Sequence, residues 1–218
     1  MQISTGVFER KAAHTMSERV FFALIGGILL YGLGLTSYLA RWAVENGIYL
    51  TGFSFFLVGL GIPFLGIMIG IKSDNPLISF IGYNLVVIPF GIVLGPVLSV
   101  YSPNVINKAL LGTFSATAFM SILAFVHPGI FKNLGRALFF SLMGLVVVRF
   151  LQIFIPALRL GIIDWLAAGI FTLYIGYDLY RAQRVSRNLD NAVDFALQIY
   201  LDIINLFLTL LRIFGRED

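Results

Sequence analysis

The sequence contains no cysteine among its 218 residues. This absence excludes disulfide bonds, thiolate metal sites and a cysteine nucleophile. Charged side chains are also scarce, at 12% of the chain, whereas soluble domains carry roughly 25%. With 59% hydrophobic residues and a mean hydropathy of +0.93, the chain lacks the polar surface that a water-soluble protein requires.

Motifs for catalysis are missing as well. The chain has 2 histidines, and His127 stands beside Pro128, where it is expected at a helix end without a second ligand nearby. There is no glycine-rich phosphate loop with a lysine, and the serines and threonines lack an evident base. We therefore expect neither an enzyme nor a bound cofactor. An intramembrane aspartyl protease also uses two acids, but its signatures are absent.

Long apolar runs dominate what is present. We predict an all-α membrane protein, a bundle of seven transmembrane helices in which the last helix is central. The predicted spans are 20–40, 53–71, 77–101, 109–127, 137–156, 162–180 and 192–214. Residues 1–19 are predicted to form a cytoplasmic N-terminal arm, and residues 20–218 a single domain.

The N-terminal arm has no apolar core of the kind found in cleaved signal peptides. Nine lysines and arginines lie in the arm and in the joints on its side of the membrane, against four on the other side. The positive-inside bias therefore predicts a cytoplasmic N-terminus. Seven full crossings would place the chain's other end outside, whereas a re-entrant last segment would return it inside.

Glycines recur at the spacing of helix contacts. Gly66 and Gly70 form one such pair, and Gly91 and Gly95 form another. Small residues four apart let two helix backbones approach closely in lipid. We therefore predict tight packing at both pairs.

Ionisable side chains are costly in hydrocarbon, by about 2.5–3.5 kcal/mol on insertion scales. Lys108, Arg159 and Asp164 fall near predicted span ends, where they are expected to be interface anchors. Arg149 lies deeper in its span. It would either extend outward to the interface or pair inside the bundle.

The last span carries a polar stripe. Its members are Asp194, Gln198, Asp202, Asn205, Thr209 and Arg212. Their spacings of 4, 4, 3, 4 and 3 residues place them on one helical face. We expect this face to form a buried polar seam at the bundle centre. The alternative is a helix whose C-terminal half lies in the interface.

A hairpin between the last two spans relates two acids. No helix breaker occurs in 181–187, so the sixth helix is expected to reach about residue 187, with Asp190 or Asn191 as the next N-cap. Asp178 and Asp202 each lie twelve residues from position 190. Equal rise on both helices then puts both carboxylates about 18 Å from the turn. They can face each other if the helices are suitably rotated.

Two carboxylates in a low-dielectric site resist joint ionisation and titrate as a coupled pair. At low pH a shared proton would hold Asp178 and Asp202 together. At higher pH repulsion would part them, or a hard cation such as calcium would bind both transiently. Arg181, one turn from Asp178, and Lys72, on the same membrane side, would stabilise the ionised form. The alternative is a structural aspartate satisfied by neighbouring Tyr, Asn or Arg side chains.

Three stripe residues are candidates for tuning the same acids. They are Asp194, Gln198 and Asn205, which share the helical face of Asp202. Their polar groups lie within one or two helical turns of it.

Segments 176–184, GYDLYRAQR, and 200–215, YLDIINLFLTLLRIFG, resemble the Bax inhibitor family of membrane proteins, including its bacterial calcium-leak members. The resemblance implies a seven-helix fold with the last helix central, in a bacterial inner membrane. It also implies a di-aspartyl pH sensor at Asp178 and Asp202, and a pH-dependent calcium leak.

The family also places a basic latch to the helix-six aspartate near the cytoplasmic end of helix two. Lys72 is the nearest candidate, but relatives often have an arginine-rich cluster there. Lysine lacks the planar fork of arginine, and Asp74 and Pro76 follow closely. The latch is therefore expected to be weaker or absent.

Three functions follow from these patterns. The first is a passive calcium leak regulated by protons, and the second is a non-conducting regulator that binds a protease or another stress-response membrane protein. The third is a proton-coupled secondary transporter, against which the absence of an inverted repeat counts. The expected partners are the lipid bilayer, calcium and a membrane protein, with no nucleic acid.

Overall fold

The computed structural model describes residues 15–155 and 161–216. In that part of the chain there are seven long helices and no strand. The helices are α1 (Glu18–Glu45), α2 (Gly52–Lys72), α3 (Pro76–Leu98), α4 (Pro103–Val126), α5 (Leu134–Phe154), α6 (Gly161–Ala182) and α7 (Leu189–Phe214). The first fourteen residues of the predicted arm and the predicted anchor Arg159 lie outside the described residues.

Each of these helices is long enough to cross a membrane. The shortest have 21 residues, which at 1.5 Å per residue gives about 31 Å, against a hydrocarbon core of about 30 Å. Their most apolar windows have mean hydropathies between 1.3 and 2.2. The predicted all-α fold with seven membrane-spanning helices is confirmed.

Capping side chains set several helix starts. Asn75 accepts a hydrogen bond from the backbone N–H of Leu77 at 3.0 Å, and Ser102 accepts one from that of Val105 at 3.4 Å. A proline occupies the first position of the helix after each cap, where its missing N–H costs nothing. Helix α4 therefore begins at Pro103, six residues before the predicted start, which hydropathy placed too late because polar residues fill its first turns.

The described chain divides into two compact units. The first contains the residues up to Val100 together with Arg184–Tyr200, and in it α3 packs against α1 and α2. The second contains Tyr101–Gln183 and the residues from Leu201 onward, and in it α6 packs against α4 and α5. Helix α7 thus contributes its first half to one unit and its second half to the other.

Close backbone contacts in the first unit require glycine. A Cβ added to Gly66 would lie 2.5 Å from the carbonyl oxygen of Gly82, and one added to Gly82 would lie 2.6 Å from that of Gly66. A Cβ on Gly95 would lie 2.5 Å from the carbonyl oxygen of Ala40. The tight packing predicted from the glycine pairs is confirmed for α2 on α3 and for α3 on α1.

The turn before α7 differs from the prediction. Helix α6 ends at Ala182 rather than near residue 187. The side chain of Asn188 accepts a hydrogen bond from the backbone N–H of Asn191 at 2.8 Å, so Asn188 is the N-cap. Asp190 and Asn191 were wrongly expected to cap α7, because the sequence offers three good capping residues within four positions.

This turn is also tied to the start of α1. The backbone N–H of Met16 donates to the carbonyl oxygen of Arg187 at 2.8 Å. Nη2 of Arg187 lies 2.8 Å from Oε2 of Glu18. The segment that precedes α1 therefore helps to fix the position of the α7 start within the first unit.

The substitution Gly82→Ala tests the backbone contact. It should lower stability by about 1–3 kcal/mol because the added methyl group meets a carbonyl oxygen that cannot withdraw without moving a helix. Gly27→Ala is the matched control, since a Cβ there meets nothing within 4 Å. Thermal unfolding of the detergent-purified variants gives the comparison. Equal melting temperatures for the two variants would contradict the assigned contact.

If all seven helices cross the membrane completely, the two ends of the described chain lie on opposite sides of it. We therefore expect a green fluorescent protein fused at the N-terminus to fluoresce, as it does in the cytoplasm. Alkaline phosphatase fused after Arg216 should be active, because that enzyme matures only outside. An inactive phosphatase fusion, made at normal level, would favour a re-entrant α7.

Candidate functional site

Two buried acids meet in the second unit. Asp178 on α6 is 4% exposed and Asp202 on α7 is 9% exposed. Their carboxyl groups lie close enough to act on each other. A direct hydrogen bond between them would require a proton on one of the two groups, because ionised carboxylates only accept hydrogen bonds.

A cation lies beside the pair. Nη1 of Arg181 is 3.2 Å from Oδ1 of Asp178, one helical turn away. The same guanidinium lies 5.7 Å from the ring centroid of Tyr177, at cation–π distance. If Asp178 and Asp202 share one proton, these two carboxyl groups and the guanidinium of Arg181 together carry zero net charge. The structure thus brings together Asp178, Asp202 and Arg181 of the predicted residues.

One carboxyl oxygen of the pair has no partner. Oδ2 of Asp202 is buried and makes no hydrogen bond to any described residue. Buried polar atoms are nearly always satisfied, and exceptions tend to occur at functional positions. This oxygen is the free acceptor of the site.

The acids do not meet for the predicted reason. Asp178 lies four residues before the end of α6, and Asp202 thirteen residues after the start of α7, which correspond to about 6 Å and about 20 Å of helix. The difference of about 14 Å is within the reach of the six-residue link at 183–188, which extends up to about 20 Å. The two acids therefore lie side by side because the link between the helices is extended, and not because both acids are equally far from a tight turn.

The neighbouring stripe residues donate hydrogen bonds to the backbone of their own helix. The amide of Gln198 donates to the carbonyl oxygen of Asp194 at 3.2 Å, and that of Asn205 donates to the carbonyl oxygen of Leu201 at 2.8 Å. Asp194 is 8% exposed. Its Oδ1 would lie 3.9 Å from a Cβ on Gly70, so it faces α2 within the first unit.

The polar stripe of α7 is only partly buried. Asp194, Asp202 and Thr209 are buried, as expected of a seam. From residue 198 to residue 212, the half-buried positions recur every three or four residues along the same side of the helix. They are Gln198, Leu201, Asn205, Leu208 and Arg212. Accessible surface therefore runs along α7 past the buried Asp202, although 67% of the most apolar window of this helix is buried, more than in any other span.

Lys72 ends α2 in the first unit and is exposed. It lines an open groove of about 750 Å³. The other lining residues are Leu65, Met68, Ile69, Ser73, Asp74, Asn75 and Ile78. Its role as a latch stays a prediction.

Long-range side-chain contacts hold the first half of α7. Ser79 donates to Oδ1 of Asp190 at 2.6 Å, and Thr36 and Tyr200 share a hydrogen bond of 2.7 Å between their hydroxyl groups. Both contacts are buried, where a lost partner costs about 1–3 kcal/mol. They fix the helix up to Tyr200, two residues before Asp202. Sequence reasoning missed them because the partners are more than a hundred positions apart.

A second charged site surrounds Asp164, which is fully buried near the start of α6. Nη2 of Arg149 and Nε of Arg212 lie 2.6 and 3.1 Å from its Oδ1. Nη1 of Arg216 lies 2.8 Å from its Oδ2, as an ion pair rather than an aligned hydrogen bond. We call Arg149, Arg212 and Arg216 the arginine cluster. Asp164 was expected to be an interface anchor, and the structure shows it buried against these arginines near the start of α6.

This site also decides between the two arrangements that the sequence left open for Arg149. Arg149 pairs within its unit rather than extending alone to the interface, and its Nη1 also donates to Oε1 of Gln152 at 3.1 Å. Nη2 of Arg212 donates to Thr209 at 3.0 Å. The signal that could have found the site was the placement of Arg149, Asp164 and Arg212 at the same end of three consecutive spans.

Comparison with known proteins identifies the relationship. A family model described as "Inhibitor of apoptosis-promoting Bax1" matches residues 13–218. The chain belongs to the Bax inhibitor family. The match covers all seven spans of this Bax inhibitor family member, both buried acids and the arginine cluster.

Individual relatives are membrane proteins by name. The inner membrane protein YbhL of Escherichia coli K12 is 25% identical over 220 aligned positions, which cover 91% of this chain and 92% of that protein. An uncharacterized membrane protein of Streptococcus pyogenes serotype M3 is 32% identical over 135 positions. The alignment covers 59% of this chain and spans 59% of the streptococcal relative.

A shared proton at this pair would make stability depend on pH. We expect the folded wild type to hold such a proton and to lose it at alkaline pH, which leaves two buried carboxylates side by side. The melting temperature should therefore fall as pH rises. Asp202→Asn supplies an amide N–H in place of the proton, so its melting temperature should change much less over the same range.

Glu45→Gln is the control for this experiment, because it makes the same chemical change at an exposed position in α1. It should keep the wild-type pH dependence. If Asp202→Asn retained that dependence too, a different group would be responsible for it.

Proposed function

We propose that this Bax inhibitor family member is a passive calcium-leak pathway whose opening is controlled by protonation of Asp178 and Asp202. The observation that carries the proposal is the buried pair of neighbouring carboxyl groups beside Arg181, with an unsatisfied oxygen on Asp202. Buried ionisable groups inside membrane spans are found at ion and proton pathways.

The protonated pair is the closed form. With one shared proton, the pair and Arg181 carry no net charge, and a hydrogen bond between the two carboxyl groups would link α6 to α7. A neutral set of this kind offers a passing cation no electrostatic attraction. The direct contact also occupies the oxygen atoms that a cation would bind.

Loss of the proton reverses both conditions. Two carboxylates and one guanidinium carry a net charge of minus one, and the carboxylates repel each other at this distance. Their oxygens then suit a hard divalent cation. Calcium takes six to eight oxygen ligands, so two carboxylates with water form a weak site, which suits passage rather than storage. Magnesium loses its water shell reluctantly and is a poorer permeant ion.

The accessible side of α7 supplies polar groups near the pair. Gln198 and Asn205 lie four residues before and three residues after Asp202, and both are half-buried. Their amide oxygens are suitable transient ligands for a cation that approaches or leaves the carboxylates. This placement is the support for Gln198 and Asn205 as tuning residues.

The setting that we propose is a bacterial inner membrane with a cytoplasmic N-terminus. The inner-membrane designation of the Escherichia coli relative and the lysine and arginine bias support it. We propose no catalytic activity and no resident cofactor, with protons as the regulator.

Calcium flux into proteoliposomes at a series of pH values tests the proposal. Wild-type flux should rise with pH by at most about tenfold per unit, since one proton is released. Asp202→Asn should stay low throughout, because an amide cannot ionise, and Asp178→Asn should lose the pH dependence. Glu45→Gln should match the wild type.

Three identical curves for the wild type and the two aspartate variants would overturn the sensor. The competing functions give other results. A non-conducting regulator shows no flux and co-purifies with a stable membrane protein. A proton-coupled transporter accumulates its substrate against a gradient.

A further inference from the structure

We propose that the arginine cluster binds the headgroup phosphate of an anionic phospholipid, at the membrane surface where α5 ends and α6 begins. The cluster lies in the second unit and has no part in the proposed calcium pathway. Four observations carry the inference: its charge, its remaining donors, its depth and its apolar neighbours.

Among the described residues the charge does not balance. Three guanidinium groups meet the single carboxylate of Asp164, which leaves two positive charges in excess. An anion at this end of the helices would compensate the excess. A lipid phosphate is the anion always present at that depth.

The remaining donors have the right form. The contacts with Asp164, Gln152 and Thr209 engage five guanidinium nitrogens of the cluster. Three guanidinium groups contain nine nitrogens, all of them donors. The arginine side chains are 29%, 37% and 44% exposed, so the remaining nitrogens can be reached from outside the unit. Planar forks of this kind bind phosphate oxygens two at a time.

The depth is that of lipid headgroups. Arg149 lies five residues before the end of α5, and Arg212 lies two residues before the end of α7. These separations correspond to about 7 Å and about 3 Å along the helices. The guanidinium groups therefore lie near the boundary of the hydrocarbon core rather than at its centre.

Apolar side chains beside the cluster favour a lipid over a free anion. Phe150, Phe154 and Trp165 are 59%, 67% and 54% exposed at the same helix ends. Exposed tryptophan is typical of the membrane interface. These rings provide contacts for acyl chains below a headgroup held by the arginines, and a free phosphate ion would not use them.

Purified full-length protein in detergent tests the site. Titration with phosphatidylglycerol and, separately, with phosphatidylcholine gives the apparent affinity of each lipid from the rise in melting temperature. The wild type should prefer the anionic lipid. Arg216→Gln and Arg149→Gln should each weaken that preference by about tenfold, because each removes a charge-assisted contact.

Two further variants separate binding from structure. Arg136→Gln removes an exposed arginine at the opposite end of α5 and should leave the lipid preference unchanged. Asp164→Asn removes the competing carboxylate, so it should keep or strengthen the preference even if it lowers the basal melting temperature. A purely internal brace would predict the opposite for Asp164→Asn, with loss of stability and no gain in lipid affinity.

Two outcomes would overturn the proposal. The first is an unchanged lipid preference in Arg216→Gln, which is expected to fold because Arg216 follows α7 and is 44% exposed on its side chain. The second is equal stabilisation of the wild type by inorganic phosphate in phosphatidylcholine, which would assign the cluster to a free anion.

Discussion

A carboxyl group inside a membrane span is stable only when it is neutralised by a proton or paired with a cation. In the second unit Asp178 has Arg181 and a second carboxyl group, that of Asp202, beside it, whereas Asp164 has three arginines. Arginine stays protonated, so the compensation of Asp164 does not depend on pH. A proton held by the first pair, as we propose, would depend on pH, and the two ends of α6 would then differ in this respect.

Glycine contacts between α2 and α3, and between α3 and α1, pack the first unit closely. Buried hydroxyl contacts at Ser79 and Thr36 hold the first half of α7 as far as Tyr200 within the same unit. The position of that half of the helix therefore depends on side chains that are distant in the sequence.

Local patterns in the sequence made much of the fold and part of the candidate site predictable. Apolar length gave the seven spans, the glycine pairs gave close helix contacts, and the spacing of polar residues gave the face of Asp202. The predicted N-cap of α7 was wrong because Asn188, Asp190 and Asn191 are all good capping residues. Only the packing of the folded chain decides which of them caps the helix. The burial of Asp164 was not foreseen because it depends on arginines from α5 and from the end of α7, which a single hydropathy window does not contain. The contact between Thr36 and Tyr200 was missed because the two residues are far apart in the sequence.

Asp178 and Asp202 project from two neighbouring helices of the second unit, so small rotations of either helix change the distance between them. A side-chain atom lies about 5 Å from the helix axis. A rotation of α7 by about 20° would therefore move the Asp202 carboxyl by about 2 Å, which is enough to break a hydrogen bond. The rotation of α6 and α7 about their own axes is thus the geometric variable to which the acid pair is most sensitive.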